Sequence, residues 1–438
     1  MSAPTPSPPS KLASKQDTLS YHEFPTPGKI KIIPSKPCNT KDDLSLAYTP
    51  GVAEPCKIIE KDPSAAYKYT SKGNLVAVIT NGTAVLGLGD IGALAGKPVM
   101  EGKSVLFKRF AGLDSIDIEI NEKDPQKFIE IVKSLEPTFG GINLEDIKAP
   151  ECFEIEQTLI TKMNIPIMHD DQHGTAIICS AALLNAIPLA KKRIHDVKVV
   201  FSGAGAAAIS CATLFVKLGV HKENLLLVDS KGVITTARMH ELNPEKQQFA
   251  VNTSKHTLQD ALVGADVFVG LSQANIMSKE MLLSMNENPI VFAMANPTPE
   301  IDYTLAISTR NDVIMATGRS DYPNQINNVL AFPYLFRAAL DTRSSKITPE
   351  MKLACVKALA SLAKKKVPAS VEKAYGQKFE FGRTYLIPKP FDPRVLSVVT
   401  PKIAQAAIEC GAATFSVDIK EYEYSLAKMA NRLAKGKW

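Results

Sequence analysis

Between Leu46 and Ala186 the chain carries four short runs whose side chains can do acid-base and metal chemistry. They are a Tyr in LAYTPGVAEPC, a Lys in MEGKSVLF, a carboxylate pair in NLEDI and a second pair in HDDQHGT. Glu145, Asp146, Asp170 and Asp171 supply the hard oxygen ligands that Mg²⁺ or Mn²⁺ prefers, with positions left open for substrate. Acid pairs are common on solvated surfaces, so their setting matters. Asp170 and Asp171 stand just before an apolar helical run, at the end whose dipole favours anions. His169 and His173 lie beside them, but no Cys or third His completes a zinc set, and ordinary hydrogen-bonded roles are expected for both. Lys103 follows Gly102 and precedes SVLF, read as a strand, where partial burial would lower its pKa toward that of a general base. Tyr48 sits just before Pro50 and Gly51 on a turn, where a phenol can protonate a carbanion. Taken singly, the two also read as a surface Lys and a packing Tyr. Asn296 in MANPT, and Asn327 with Asn328 in INNVLAF, stand near strand and helix ends, where an amide can bind a carboxylate or simply form a turn.

Two glycine signatures compete for a dinucleotide. GLGDIG (Gly87, Gly89, Gly92) matches GxGxxG in full, whereas GAGAAA (Gly203, Gly205, Ala208) matches the GxGxxA variant. Context favours the second: it follows the strand VKVVFS, opens a helix, and is followed by the strand NLLLVD ending at Asp229. Its glycines permit a tight turn and close approach to a pyrophosphate at the helix N-terminus. No clear crossover helix is expected after GLGDIG, which also reads as a packing turn. Asp229 would accept bonds from a ribose 2′-hydroxyl and favour NAD, while Ser230 and Lys231 could bind the 2′-phosphate of NADP. Lys231 also reads as a solvated turn residue.

These groups need elements to hold them. Pro4, Pro6, Pro8 and Pro9 make residues 1–20 a solvated tail, and Tyr21 to Pro37 reads as an extended arm able to embrace a partner subunit. NLVAVITNG, SVLFKRF and IDIEIN read as strands and PQKFIEIVKSLEP as a helix, giving an N-terminal α/β substrate and metal domain over 21–172. The buried helix after HDDQHG, GAGAAA with its flanking strands, and the strands ADVFVGLS and PIVFAMANP predict a doubly wound, Rossmann-type dinucleotide-binding domain over 173–345. From 346 to 438 the text is Lys-rich and helical, a C-terminal extension whose Lys364, Lys365 and Lys366 are expected to pack or pair subunits. The fold class is therefore α/β.

A length of 438 residues fits two large domains. The hydrophobic share of 45% and charged share of 22% are those of a globular chain, and no apolar run reaches membrane-spanning length. The net charge of +6 is spread out, with no Arg-rich or aromatic-interleaved patch, so neither nucleic acid nor membrane is an expected partner. Seven scattered Cys without a CxxC pair suit a reducing compartment, and the N-terminus lacks an apolar leader core, so a cytoplasmic location is expected.

With these segments in order, the chain resembles the malic enzymes, in their smaller bacterial-type form. The likeness runs from about Tyr21 to Asp392, through YHEFPTPGKI, LSLAYTPGVAEPC, VLGLGDIGALAGKPVMEGK, FGGINLEDI, MHDDQHGTA, the GAGAAA turn and ATGRSDYPNQINNVLAFP. It implies oxidative decarboxylation of L-malate to pyruvate and CO₂ with reduction of NADP or NAD, aided by Mg²⁺ or Mn²⁺, in a homodimer. By this resemblance Lys103 is the general base with Asp170 beside it, and Tyr48 is the general acid that protonates C3 of the enolate. Glu145, Asp146 and Asp171 are metal ligands, Asn296 and Asn328 hold substrate with Asn296 also at the cofactor, and GLGDIG belongs to the substrate side. One departure stands out: larger malic enzymes carry an Arg before LGLGD that clamps the malate carboxylate, and the matching residue here is Ala84. Arg319 in TGRSDYP, or a residue from a neighbouring subunit, is expected to replace it. The alternatives are a 2-hydroxy acid dehydrogenase that stops at the keto acid, and a non-catalytic nucleotide sensor, which the intact Tyr48, Lys103 and acid set oppose. An acyl-transferring fusion, known from longer relatives, is not expected because the chain ends too early.

Overall fold

The computed structural model describes residues 14–437. Residues 1–13 of the expected tail lie outside them, and the rest of that tail is a helix. Ser14 and Asp17 cap each other reciprocally and start the helix Lys15–Glu23, which corrects the tail's expected end.

Strands buried on both faces read as continuous apolar runs, and β1 (Leu75–Thr80) is buried along its whole length. It pairs in parallel with β2 (Asp114–Glu119) on one side and β3 (Gly141–Leu144) on the other. The order β2-β1-β3-β4 is completed by β4 (Ile167–His169). One face of this sheet packs Ile79, Ile142 and Leu144 against Phe128 and Ile129 of the helix Pro125–Ser134 and Ile155 of the helix Glu151–Lys162.

SVLFKRF is not a strand. It is the second half of the helix Ala93–Ala111, in which Met100, Lys103, Phe107 and Phe110 fall at spacings of three and four and are all buried. Gly96, Pro98 and Gly102 hide that period in the text, and burial of the stripe overrides their poor propensity. GLGDIG is consequently followed by a crossover helix between β1 and β2, contrary to expectation.

The second sheet is doubly wound as expected. Its order is β10-β9-β8-β5-β6-β7, formed by β5 (Val199–Ser202), β6 (Leu225–Asp229), β7 (Gly232–Val233), β8 (Val267–Gly270), β9 (Ile290–Ala293) and β10 (Ile314–Thr317). Every pairing is parallel except that of the short β7 with β6. The winding reverses at β5, the place where such sheets open a crevice for ligands.

Between the sheets runs the helix Asp170–Leu189, apolar nearly all round and therefore buried. One continuous core includes Val76 and Val78 of β1, Ile177, Ile178 and Leu183 of this helix, and Val199 and Phe201 of β5. The expected domain boundary at 172/173 falls in its first turn. The helices Pro349–Ala363, Thr400–Glu409 and Ile419–Ala434 close the C-terminal side, with Lys364, Lys365 and Lys366 exposed. The Pro-punctuated arm lies along the helix Ala93–Ala111: the Lys29 backbone N–H donates to Glu101 Oε2 at 2.9 Å, and Lys29 Nζ donates to the Pro98 carbonyl at 2.5 Å. Among the described residues, the helices Lys15–Glu23, Lys41–Ala47 and Ala53–Lys61 bury no side chain. Among the described residues, no helix is long and apolar enough to cross a membrane.

Candidate active site

Lys103 is 7% exposed, because its position on the inner stripe of the helix Ala93–Ala111 turns it toward the ends of β3 and β4. Its Nζ lies 2.8 Å from Asp170 Oδ2 and 2.8 Å from Glu145 Oε1, and 4.5 Å from the centre of the Phe332 ring. Asp170 Oδ2 also accepts from Asn328 Nδ2 at 2.5 Å, and Glu145 Oε2 accepts from Asn143 Nδ2 at 2.8 Å. Asp146, in a left-handed conformation at φ 53°, donates its backbone N–H to Asp171 Oδ2 at 2.8 Å. That turn brings one oxygen each of Glu145, Asp146 and Asp171 within 4.8 Å of one another.

The electrostatics suit a divalent cation. Burial first, and then the neighbouring carboxylates, raise the pKa values of Glu145 and Asp146 well above the usual carboxylate range. Asp171 rises as well, and Asp170 is pushed up to about 7, mainly by burial. Asp146 Oδ2 and Asp170 Oδ1 are buried without a hydrogen-bond donor. Oxygen-rich, converging and underpaired, the set suits Mg²⁺ or Mn²⁺. Lys103 departs from expectation. Burial alone would lower its pKa, but the charges of Asp170, Glu145 and Asp171 outweigh burial and raise it.

The nucleotide side opens where the sheet winding reverses. A cleft of about 950 Å³ is lined by Gly203, Ala204 and Gly205 at the mouth of the helix Ala206–Lys217, by Asp229, Ser230 and Lys231, and by Ser272 and Gln273 after β8. Gly203 and Gly205 of GAGAAA line this cleft and GLGDIG does not, although both motifs precede helices. Ala208 is buried beneath the turn and allows close helix packing, without lining the cleft itself. Asn296 does not line the cleft but packs on GLGDIG: a Cβ on Gly87 would come 2.9 Å from its carbonyl oxygen.

Two expected residues stand apart from this arrangement. The Tyr48 side chain is 70% exposed at the end of the helix Lys41–Ala47, and among the described residues it makes no hydrogen bond to the Lys103 cluster. Arg319 presents its fork to Asp321, with Nε and Nη2 donating at 2.9 and 2.6 Å. Ala84 donates its backbone N–H to the Asp146 carbonyl at 3.0 Å, so the Arg-to-Ala departure lies at the edge of the acidic pocket.

Comparison with known proteins matches residues 27–160 to the family described as "Malic enzyme, N-terminal domain" and residues 172–374 to "Malic enzyme, NAD binding domain". The NADP-dependent malic enzyme of Halomonas elongata is 55% identical over 92% of this chain and 95% of its own. The chain belongs to the malic enzyme family. The NADP-dependent malic enzyme of Escherichia coli is 59% identical over 91% of this chain, which spans only 53% of that longer relative. A crystal structure of malic enzyme from Pyrococcus horikoshii superposes with a TM-score of 0.87 at 40% identity, covering 97% of this chain and 99% of the other.

Within this malic enzyme family member, Lys246, which lines the nucleotide cleft, and Arg238 behind it escaped the sequence reading. Arg238 Nη2 and Lys246 Nζ donate to the Asp229 carboxylate at 3.0 and 3.1 Å, and Lys231 Nζ donates to Glu241 at 2.6 Å. Asp229 is engaged by both cations and by the Lys231 backbone N–H, which outweigh its burial and lower its pKa. The only signal in the sequence was basic charge downstream of the strand, with nothing to tie it to Asp229.

Proposed function

We propose that this chain catalyses the oxidative decarboxylation of L-malate to pyruvate and CO₂, with NADP⁺ as the preferred hydride acceptor and Mg²⁺ or Mn²⁺ at Glu145, Asp146 and Asp171. The observation that carries the reading is Lys103, buried between Asp170 and Glu145 at 2.8 Å from each, beside that acidic trio.

A divalent ion held by Glu145, Asp146 and Asp171 would supply Lewis acidity to the substrate. With the carboxylates engaged, Lys103 loses the anions that keep it protonated, and burial then lowers its pKa toward a working base. Lys103 Nζ accepts the C2 hydroxyl proton as hydride leaves C2 for the nicotinamide. Asp170 and Phe332 hold that amine in place, while Asn296 and Asn328 offer amides to the malate carboxylates. Arg319 donates to the Pro297 carbonyl at 3.3 Å and so steadies the loop of Asn296. Loss of CO₂ breaks the C3–C4 bond, and a tyrosine proton delivered to C3 completes pyruvate.

The preference for NADP⁺ rests on charge. Lys231, Arg238 and Lys246 surround Asp229 and Glu241, which leaves a net positive edge for a 2′-phosphate. The relatives from E. coli and H. elongata bear NADP-dependent names.

The protein acts as a homodimer in the cytoplasm. Apolar Ile32, Leu46, Leu86, Leu88 and Leu94 are exposed, up to 88% for Ile32, on or beside the arm and its helices, a surface that a second copy would cover. Tyr48 stands on that same surface, so we assign the C3 proton to Tyr48 of the partner subunit. The deciding assay mixes purified protein with L-malate, Mn²⁺ and either NADP⁺ or NAD⁺, following reduced nicotinamide and released CO₂ together. Equal yields of both products, faster with NADP⁺, are expected. Nicotinamide reduction without CO₂ would replace this reading with the non-decarboxylating dehydrogenase.

A further inference from the structure

Glu156, on the helix Glu151–Lys162, is 1% exposed and takes no part in the chemistry above. Burying a carboxylate is costly unless its oxygens find partners. Oε1 accepts the backbone N–H of His169 at 2.8 Å, and Oε2 lies 2.9 Å from Nε2 of His173. His169 ends β4 and caps the helix Asp170–Leu189, while His173 lies one turn into that helix. The two bonds therefore straddle Asp170 and Asp171. His169 Nε2 is in turn 3.6 Å from Asp171 Oδ2. Burial would raise the pKa of Glu156, yet His173, Lys352 and His169 outweigh it and hold the acid charged, down to about 2.

We propose that Glu156 is the positioning residue of the cation site, bracing the strand-to-helix junction from behind so that Asp171 meets Glu145 and Asp146 at ligating distance. The proposal rests on the reading that those three carboxylates hold a divalent ion. A brace of this kind sets how much the ligands must reorganise on binding, and its removal weakens metal affinity by roughly tenfold to hundredfold. The start of the same helix reaches the nucleotide cleft through Phe153, but Glu156 itself does not line it, and NADP⁺ affinity is predicted to be unchanged.

The test measures Mn²⁺ affinity by electron paramagnetic resonance and NADP⁺ affinity by calorimetry, on full-length protein. Glu156→Ala is expected to lose at least about tenfold in Mn²⁺ affinity with NADP⁺ affinity unchanged, whereas Glu156→Gln, which keeps an oxygen for the His169 N–H, recovers most of the loss. Wild-type Mn²⁺ affinity in Glu156→Ala, or an equal loss for NADP⁺, overturns the proposal. If Glu156→Ala does not fold, His173→Leu removes only the second partner and is expected to weaken Mn²⁺ binding several-fold with NADP⁺ spared; no change there overturns it too. A wild-type protein that binds no Mn²⁺ instead sinks the cation reading, and the brace with it.

Discussion

Lys103 has carboxylates at 2.8 Å on two sides, and it can serve as a base only when those anions are drawn elsewhere. The same crowding makes stability depend on pH. Glu145, Asp146, Asp170 and Asp171 all have raised pKa values, so the folded chain binds more protons than the unfolded one between roughly pH 4, the unfolded value, and about 8, the highest folded value. Stability contributed by these groups is present at low pH and falls as pH climbs through that window. Lys103 stays charged in both states across it and adds no slope. Mn²⁺ should therefore raise Tm more at about pH 8 than at about pH 5, with EDTA reversing the gain. A shift of equal size at both would count against these ligands. At the nucleotide edge, Lys246→Ala is expected to raise KM for NADP⁺ by roughly tenfold to hundredfold and leave KM for NAD⁺ nearly unchanged. Parallel changes for both cofactors would remove Lys246 from 2′-phosphate recognition. The acids and Lys103 were legible in the sequence because each sits in a run with little other purpose. Lys246 was not, since it lies 17 positions from the aspartate it meets and its surroundings read as an ordinary polar loop.

Among the elements, the start of the helix Asp170–Leu189 is the most exacting. Gly174 packs so closely that a Cβ there would fall 2.0 Å from Asp170 Oδ1 and 2.9 Å from the Asn328 Cβ. Alanine is a better helix former than glycine, so Gly174→Ala changes backbone propensity favourably while pushing Asp170 off Lys103. We expect a chain of near-native Tm whose kcat falls by about tenfold or more, because a misplaced catalytic group costs far more in rate than in folding. Near-normal kcat in a well-folded variant would show that Asp170 has freedom to move. Strands and helices with a clean period were readable in advance. The helix Ala93–Ala111 was not, because two glycines and a proline blur a periodicity that only the burial of Met100, Phe107 and Phe110 makes visible. β3 and β4, four and three residues long, were too short to register.

For the whole molecule, the exposed Tyr48 and the buried Lys103 set a test of subunit sharing. If Tyr48 serves its partner's site, a mixture of Tyr48→Phe and Lys103→Ala chains forms mixed dimers with one intact and one doubly damaged site. Mixing two nearly inactive proteins would then restore roughly a quarter of wild-type turnover, since half of the dimers are mixed. No recovery after verified subunit exchange would return Tyr48 to its own chain or remove it. The α/β class and the order of the two sheets were readable from the alternation of apolar runs, but the exposed apolar face was not, because exposure is a property of what a segment fails to pack against. The shared core has a practical result. Val76 and Val199 belong to one apolar interior joined through the helix Asp170–Leu189, so each sheet, although it has a core of its own on its outer face, would lay its inner face bare if the other were removed. Cutting the gene between the halves should yield two insoluble fragments, and the amide protons of that helix should be among the last to exchange with heavy water, releasing together with those of β1 and β5.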